Sequence, residues 1–283
     1  MRIIRTLLAI ITGALFLISC LPDPLEVTNI PAVKPEIVVS SQIIPDEGLV
    51  VLLTKTIGAL DASNDSDPEA LLAQIAVRDA VVVIKGAQGE YTLDSLGNGL
   101  YGGIAIPFNE GEQYTLIVNS ASLGKVEATT TVLSQVPFDF VDAKLYYNQY
   151  NDTLAEVSYT IEDPLNENYY MINVQEVERE DFVKNLINPR AFTELIDDKS
   201  FNGGRYQKTF RVFPRNYDAG DTIAVSLSNI SDEYFNFIQL RLDNRFSFVE
   251  FLGEPVNYPS NVMGGRGFFN LYVPDVRLFV LEE

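Results

Sequence analysis

One thiol and no imidazole stand in this 283-residue chain: Cys20 is its single cysteine, and it has no histidine. Cys20 follows the small residue Ser19 at the end of an apolar run from Thr6 to Ile18, itself preceded by Arg2 and Arg5. A positive start, a short apolar stretch and a small residue before cysteine form an export signal ending in a lipid-attachment box. The chemistry it implies is transfer of a diacylglyceryl group to the thiol, then cleavage that leaves Cys20 as the first residue of the mature chain. The apolar run is about 13 residues, too short for a bilayer that needs roughly 20. Residues 1–19 therefore read as a cleaved signal peptide and residues 20–35 as a lipidated tether.

With the thiol committed to lipid, no Ser-His-Asp or Cys-His nucleophile, no His-ligated metal and no disulfide can be built. Carboxylate, hydroxyl and lysine chemistry and oxygen-ligated calcium remain. The run Asp61-Ala62-Ser63-Asn64-Asp65-Ser66-Asp67 is rich in oxygen ligands, but it lacks the glycine and the closing glutamate of an EF-hand, so it reads as a polar loop. Asp197-Asp198 and Asp218 with Asp221 are pairs that a glycosidase could use. Their Gly and Asn neighbours make solvated turns the simpler reading. Gly264-Gly265-Arg266-Gly267 lacks the GK[ST] ending of a phosphate loop and leads into an aromatic segment. Its glycines are expected to supply positive φ and close backbone packing against aromatics. No catalytic residue, metal site or cofactor is expected, and the chain reads as a non-enzyme. Tyr169, Tyr170, Asn257, Phe268, Phe269 and Tyr272 are the candidates for a ligand platform or a domain interface. Neighbours on a strand face opposite sides, so one of each aromatic pair can point away from its own core.

The formal net charge is −19 with 47% apolar residues, and losing Arg2 and Arg5 with the signal makes the mature chain more acidic still. Such a surface repels nucleic acid. Its apolar content is sufficient for a folded core.

The elements that must position these residues are mostly strands. LPDPLEVTNIPAVKP (21–35) carries four prolines and reads as extended. Alternating segments at Ile37–Ile43, Leu49–Lys55, Ala80–Lys85, Glu90–Leu93, Leu100–Ala105, Gln113–Val118 and Lys125–Leu133 predict a β-sandwich over 36–135 of immunoglobulin or prealbumin type. A short helix over 66–75 interrupts it, since Ser66, Asp67 and Pro68 begin a run of helix formers. Val136-Pro137 marks a junction, and 136–283 reads as a second β-rich domain. There a hairpin is expected over Asp139–Tyr150 and Ala155–Glu162, with strands at Tyr169–Glu178, Tyr206–Phe213 and Asp221–Ser228. Helical turns are expected at Glu180–Ile187 and Ala191–Leu195. A helix near 231–243 starts at Ser231, with Phe235, Ile238 and Leu242 on one face.

Several segments of this second region occur in a recognisable order: Asp163-Pro164, Asn168-Tyr169-Tyr170, Asp197-Asp198 with Phe201-Asn202-Gly203, Gly220-Asp221-Thr222, Tyr234-Phe235, Glu254-Pro255-Val256-Asn257, Asn261-Val262 and Gly264 to Phe269. Together they resemble the family catalogued as domain of unknown function 4249, made of Bacteroidota lipoproteins. Where that family has Leu-Gly before an aromatic, Arg266-Gly267 stands here. The resemblance implies an outer-membrane lipoprotein anchored through Cys20. Asp23 and Glu26 behind the cysteine are a thinner acidic run than the family's and point to the cell surface, with the periplasmic face as the alternative. The resemblance further implies an accessory role beside a TonB-dependent receptor in nutrient uptake, with no catalytic residues. A structural or adhesive surface module and a carboxylate hydrolase are the competing readings.

Overall fold

Alternation of apolar and polar residues along nearly every segment dictates sheets with one face inward. The computed structural model describes residues 34–45, 48–57, 68–103, 106–150, 152–177, 191–212, 216–244 and 258–282. The signal, most of the tether including Cys20, the Asp61–Asp67 run, Glu180–Ile187 and Asn257 lie outside the described residues.

The strands are β1 (Ile37–Ile44), β2 (Gly48–Lys55), β3 (Ala80–Gly86), β4 (Gly89–Thr92), β5 (Asp94–Gly97), β6 (Leu100–Gly103), β7 (Gln113–Ser120), β8 (Gly124–Thr131), β9 (Phe140–Tyr147), β10 (Thr153–Glu162), β11 (Tyr169–Glu176), β12 (Phe192–Asp197), β13 (Arg205–Val212), β14 (Thr222–Ile230), β15 (Val262–Met263), β16 (Arg266–Phe268) and β17 (Asp275–Val280). Among the described residues two helices accompany them, α1 (Pro68–Ile75) and α2 (Asp232–Asn244). The chain is thus mainly β, as the alternation predicts.

Two sheets, ordered β16-β1-β2-β6-β5 and β15-β8-β7-β3-β4, enclose a first core. Ile37 and Val39 of β1, Leu49, Val51 and Leu53 of β2, Val82 and Ile84 of β3, and Leu116 and Val118 of β7 fill it. Two further sheets, β13-β10-β9 and β12-β11-β14-β17, enclose a second, with Val157, Tyr159 and Ile161 facing Tyr170, Ile172, Val225 and Leu227. Residues 35–283 form one compact unit.

The division at 136 does not hold for the end of the chain. Val262, Phe269 and Leu271, assigned by sequence to the second domain, belong to the first core. After α2 the chain returns to the first sandwich and lays one edge strand on each of its sheets, β15 antiparallel to β8 and β16 parallel to β1. It then goes back to pair β17 with β14. We call β15, β16 and the residues to Leu271 the clasp. The outward linker and the returning chain are bonded side by side: Gln135 Nε2 donates to Pro274 O at 3.1 Å, and the Phe138 amide donates to Asp275 at 2.9 Å.

Three further departures have physical causes. Ala191–Leu195, expected as a helical turn, lies mostly in β12, because Phe192 and Thr193 favour a pleated surface and β11 offers a full ladder from Val174↔Phe192 to Tyr169↔Asp197. Asp94–Gly97 forms β5, a bulged edge strand with every residue exposed, which therefore shows no inward alternation. Finally, α2 buries none of its residues fully. Its ring contacts come from two sides, Phe235 against Tyr169 and Tyr234 with Phe237 against Phe268, rather than from the single face of Phe235, Ile238 and Leu242.

Candidate functional site

The aromatic pairs divide between core and outer surface. Tyr170 is fully buried in the second core, where its hydroxyl donates a short hydrogen bond to Asp163, and burial followed by that carboxylate raises its pKa. Tyr169 points the other way. Its hydroxyl bonds Glu167 at 2.8 Å, its ring lies 5.1 Å from Phe235 of α2, and its pKa is pushed up to about 12 chiefly by the Glu167 hydrogen bond. Phe269 enters the first core, while Phe268 turns out to meet Phe237 and Tyr234 at centroid distances of 4.8 and 5.4 Å. Tyr272 stacks on Tyr234 at 5.8 Å, and burial raises its pKa well above the ordinary tyrosine value. The named aromatics consequently form no single platform. Tyr170 and Phe269 are core residues, and Phe268 is part of the packing between α2 and the clasp.

The clasp explains the glycine-rich segment. Gly264 and Gly267 have φ of +79° and +94°, and a side chain on Gly267 would place its Cβ 2.0 Å from Val39 O. Only glycine lets β16 approach β1 this closely. The Asn261 side chain holds the turn by accepting from the Phe269 amide at 2.9 Å and donating to Phe269 O at 2.8 Å. Ser41 of β1 exchanges hydrogen bonds with both the amide and the carbonyl of Asn270.

The acidic pairs also have structural partners. Asp198, 1% exposed, accepts from the Asn168 amide at 2.7 Å. Asp197 pairs with Lys199 at 3.1 Å, and Asp221 accepts from the Asp218 amide at 2.9 Å. Asp163 holds Tyr170 and accepts from the Gly203 amide at 2.8 Å. Asn229 bridges from Asn168 Oδ1 to Ser134 O in the linker. Segments that carry the family resemblance thus meet in one buried polar knot at the end of the second core. A hollow of about 600 Å³ beside α2 is charged, but Lys208 pairs with Glu194 and Lys199 with Asp197 inside it. Among the described residues no group of acidic side chains is arranged to hold a metal ion.

Different chemistry appears in a cleft of about 270 Å³ between the β1–β2 corner and the outer face of the β12-β11-β14-β17 sheet. Gln42, Ile44 and Pro45 form one wall. Asn173 and Gln175 of β11 with Ser226 and Ser228 of β14 form the other, and Tyr272 and Pro274 of the returning chain close one side. Period-two geometry places Asn173 and Gln175 on the face opposite Tyr170 and Ile172, and the ladder sets Asn173 directly across from Ser226. Thr193 of β12 orients the amide by donating to Asn173 Oδ1 at 2.8 Å. No described residue lining the cleft is charged. Ser228 lies at its floor, 1% exposed, with an Oγ that has no hydrogen-bond partner. Of the sequence candidates among the described residues only Tyr272 lines this cleft. Asn173, Ser226 and Ser228 were missed because they are ordinary strand residues, signalled only by being polar in a strand whose other face is fully apolar.

The fold and cleft define a mainly β protein of two sandwiches joined by a recrossing chain. A family profile, Domain of unknown function (DUF4249), matches residues 23–276, and the chain belongs to that family. A comparison with curated proteins found no match.

Proposed function

We propose that this protein is a non-enzymatic binding lipoprotein of the outer membrane, held by a lipid on Cys20, that serves as an accessory of a TonB-dependent transporter in nutrient uptake. The observation that carries the binding part is the uncharged cleft, a concave site with convergent amide and hydroxyl groups on rigid strands. Anchoring is supported by the Arg2-Arg5, apolar run and Ser19-Cys20 pattern. Family membership supports the transporter association, through the resemblance to lipoproteins often encoded beside such receptors. The non-enzymatic reading is supported by the carboxylates Asp163, Asp197, Asp198 and Asp221, each engaged in holding a turn or a core.

Affinity purification of a tagged copy from native membranes tests the proposal. A co-purifying β-barrel receptor is expected, and Cys20→Ser is expected to abolish membrane retention. Recovery of the protein without any barrel partner, or normal retention of the Cys20→Ser variant, contradicts the corresponding part.

A further inference from the structure

We infer that the cleft between the β1–β2 corner and the β11–β14 face takes a neutral, polyhydroxylated ligand of saccharide type, about one or two rings in size. The inference rests on the reading of this cleft as the binding site and specifies the chemistry it selects.

Charge is the first discriminator. On a chain of net charge −19, the described residues of this cleft include no Asp, Glu, Lys or Arg. An ionic ligand would lose its hydration shell here and gain no counter-charge from these described residues, which is unfavourable unless the charge is paired. Capacity for hydrogen bonding is the second. Gln42, Asn173 and Gln175 bring amides, each with a carbonyl and an NH₂, and Ser226 and Ser228 bring hydroxyls. Amides and hydroxyls both donate and accept, so they match a ligand whose own groups do the same, and sugar hydroxyls are such groups. A purely apolar ligand would offer these amides and hydroxyls no further hydrogen bond. Ser228 Oγ at the floor is buried without a hydrogen-bond partner from the protein.

Shape is the third. Tyr272 and Pro274 supply ring surface beside the amide wall, which suits the apolar C–H faces of a pyranose. A volume of about 270 Å³ lies just below the usual range of small-molecule sites, roughly 300–1,000 Å³. This limits the enclosed part of a ligand to one or two rings, although a longer chain could extend outward.

Calorimetry and saturation-transfer NMR on the full, detergent-purified chain test this with glucose, galactose, mannose, xylose, maltose and cellobiose as neutral probes. Glucuronic acid, glucosamine and glutamate serve as charged probes, and naphthalene as an apolar one. At least one neutral sugar is expected to bind, and Asn173→Ala and Tyr272→Ala should each weaken it about tenfold, the worth of one hydrogen bond or ring contact. Gln42→Ala, on the opposite wall and outside the sheet face, gives a second reading where Asn173→Ala fails to fold by circular dichroism. Sugar binding that ignores all three substitutions overturns the site. Binding of only the charged or apolar probes overturns the ligand class and leaves the cleft as a binding site. If no probe binds, Ser226→Trp, which fills the cleft, separates the two readings. Loss of the barrel partner in that variant overturns the saccharide class alone, and an unchanged partner overturns both.

Discussion

The two cores solve the same problem, closing a sandwich, by opposite means. The first is apolar throughout, and its buried tyrosines find backbone partners at the margin: Tyr101 donates to Val77 O at 3.0 Å and Tyr114 to Pro107 O at 2.7 Å. Its outer strands β15 and β16 come from the far end of the chain, with glycines setting their approach. The second core is closed mainly by neighbouring segments and contains the polar knot of Asp163, Asn168, Tyr170, Asp198 and Asn229. It also buries the Tyr159 hydroxyl without a partner. Long-range chain return specifies the first register, and buried hydrogen bonds specify the second.

The largest test of that contrast is Phe269→Ala, which empties a fully buried clasp position in the first core. It should cost about 3–5 kcal/mol in urea unfolding, with hydrogen-exchange protection lost first in β1 and β8. A cost below about 1 kcal/mol would mean that the first sandwich closes without the clasp. Next comes alkaline pH. Burial holds the pKa values of Tyr159 and Tyr170 far above the ordinary value of 10.0, whereas unfolded tyrosines ionise near it. Above pH 10 the unfolded state therefore binds fewer protons than the folded one, so stability present below pH 10 is lost as pH rises. Each such group should remove about 1 kcal/mol per pH unit, and hydrogen exchange should show the second core opening before the first. Smaller is Asp198→Ala, which strands the buried Asn168 amide and should cost about 1–3 kcal/mol, read as a shifted urea midpoint. Asp198→Asn, whose amide oxygen can still accept from Asn168, should lose less; a loss below about 0.5 kcal/mol for Asp198→Ala would show that the contact does not hold the Asn168 amide. The smallest pair has opposite signs: Tyr101→Phe should lose about 1 kcal/mol, and Tyr159→Phe should be neutral or stabilising. Equal losses in thermal melts would show that Tyr159 has a partner after all.

Legibility followed the period of the side chains. Strands with one buried face, such as Gln113–Ser120 with Tyr114, Leu116 and Val118 inward, were readable because alternation is the physical cause of their burial. Helix α2 was readable from its cap, and the Ser231 hydroxyl does accept from the Tyr234 amide at 3.2 Å. The clasp was not. Strands of two and three residues have no period to detect, and nothing in Val262-Met263 announces a partner at Ala128. The glycines before Phe268 did signal close packing, yet the partner proved to be the β1 backbone rather than an aromatic ring. The cleft was the least legible part. Asn173 and Ser226 meet through a ladder and Gln42 joins them only through tertiary placement, so no local pattern unites them.

The clasp also orders events in time. Ser41 is bonded to Asn270 across 229 residues, so the half of the chain that is synthesised first cannot complete its own sheets until nearly the last residues arrive. Loop closure over such a distance is slow. The second sandwich also takes its last strand late, since β17 follows the clasp in the chain. Until the clasp is in place β1 and β8 carry open edges that a chaperone or another strand can occupy.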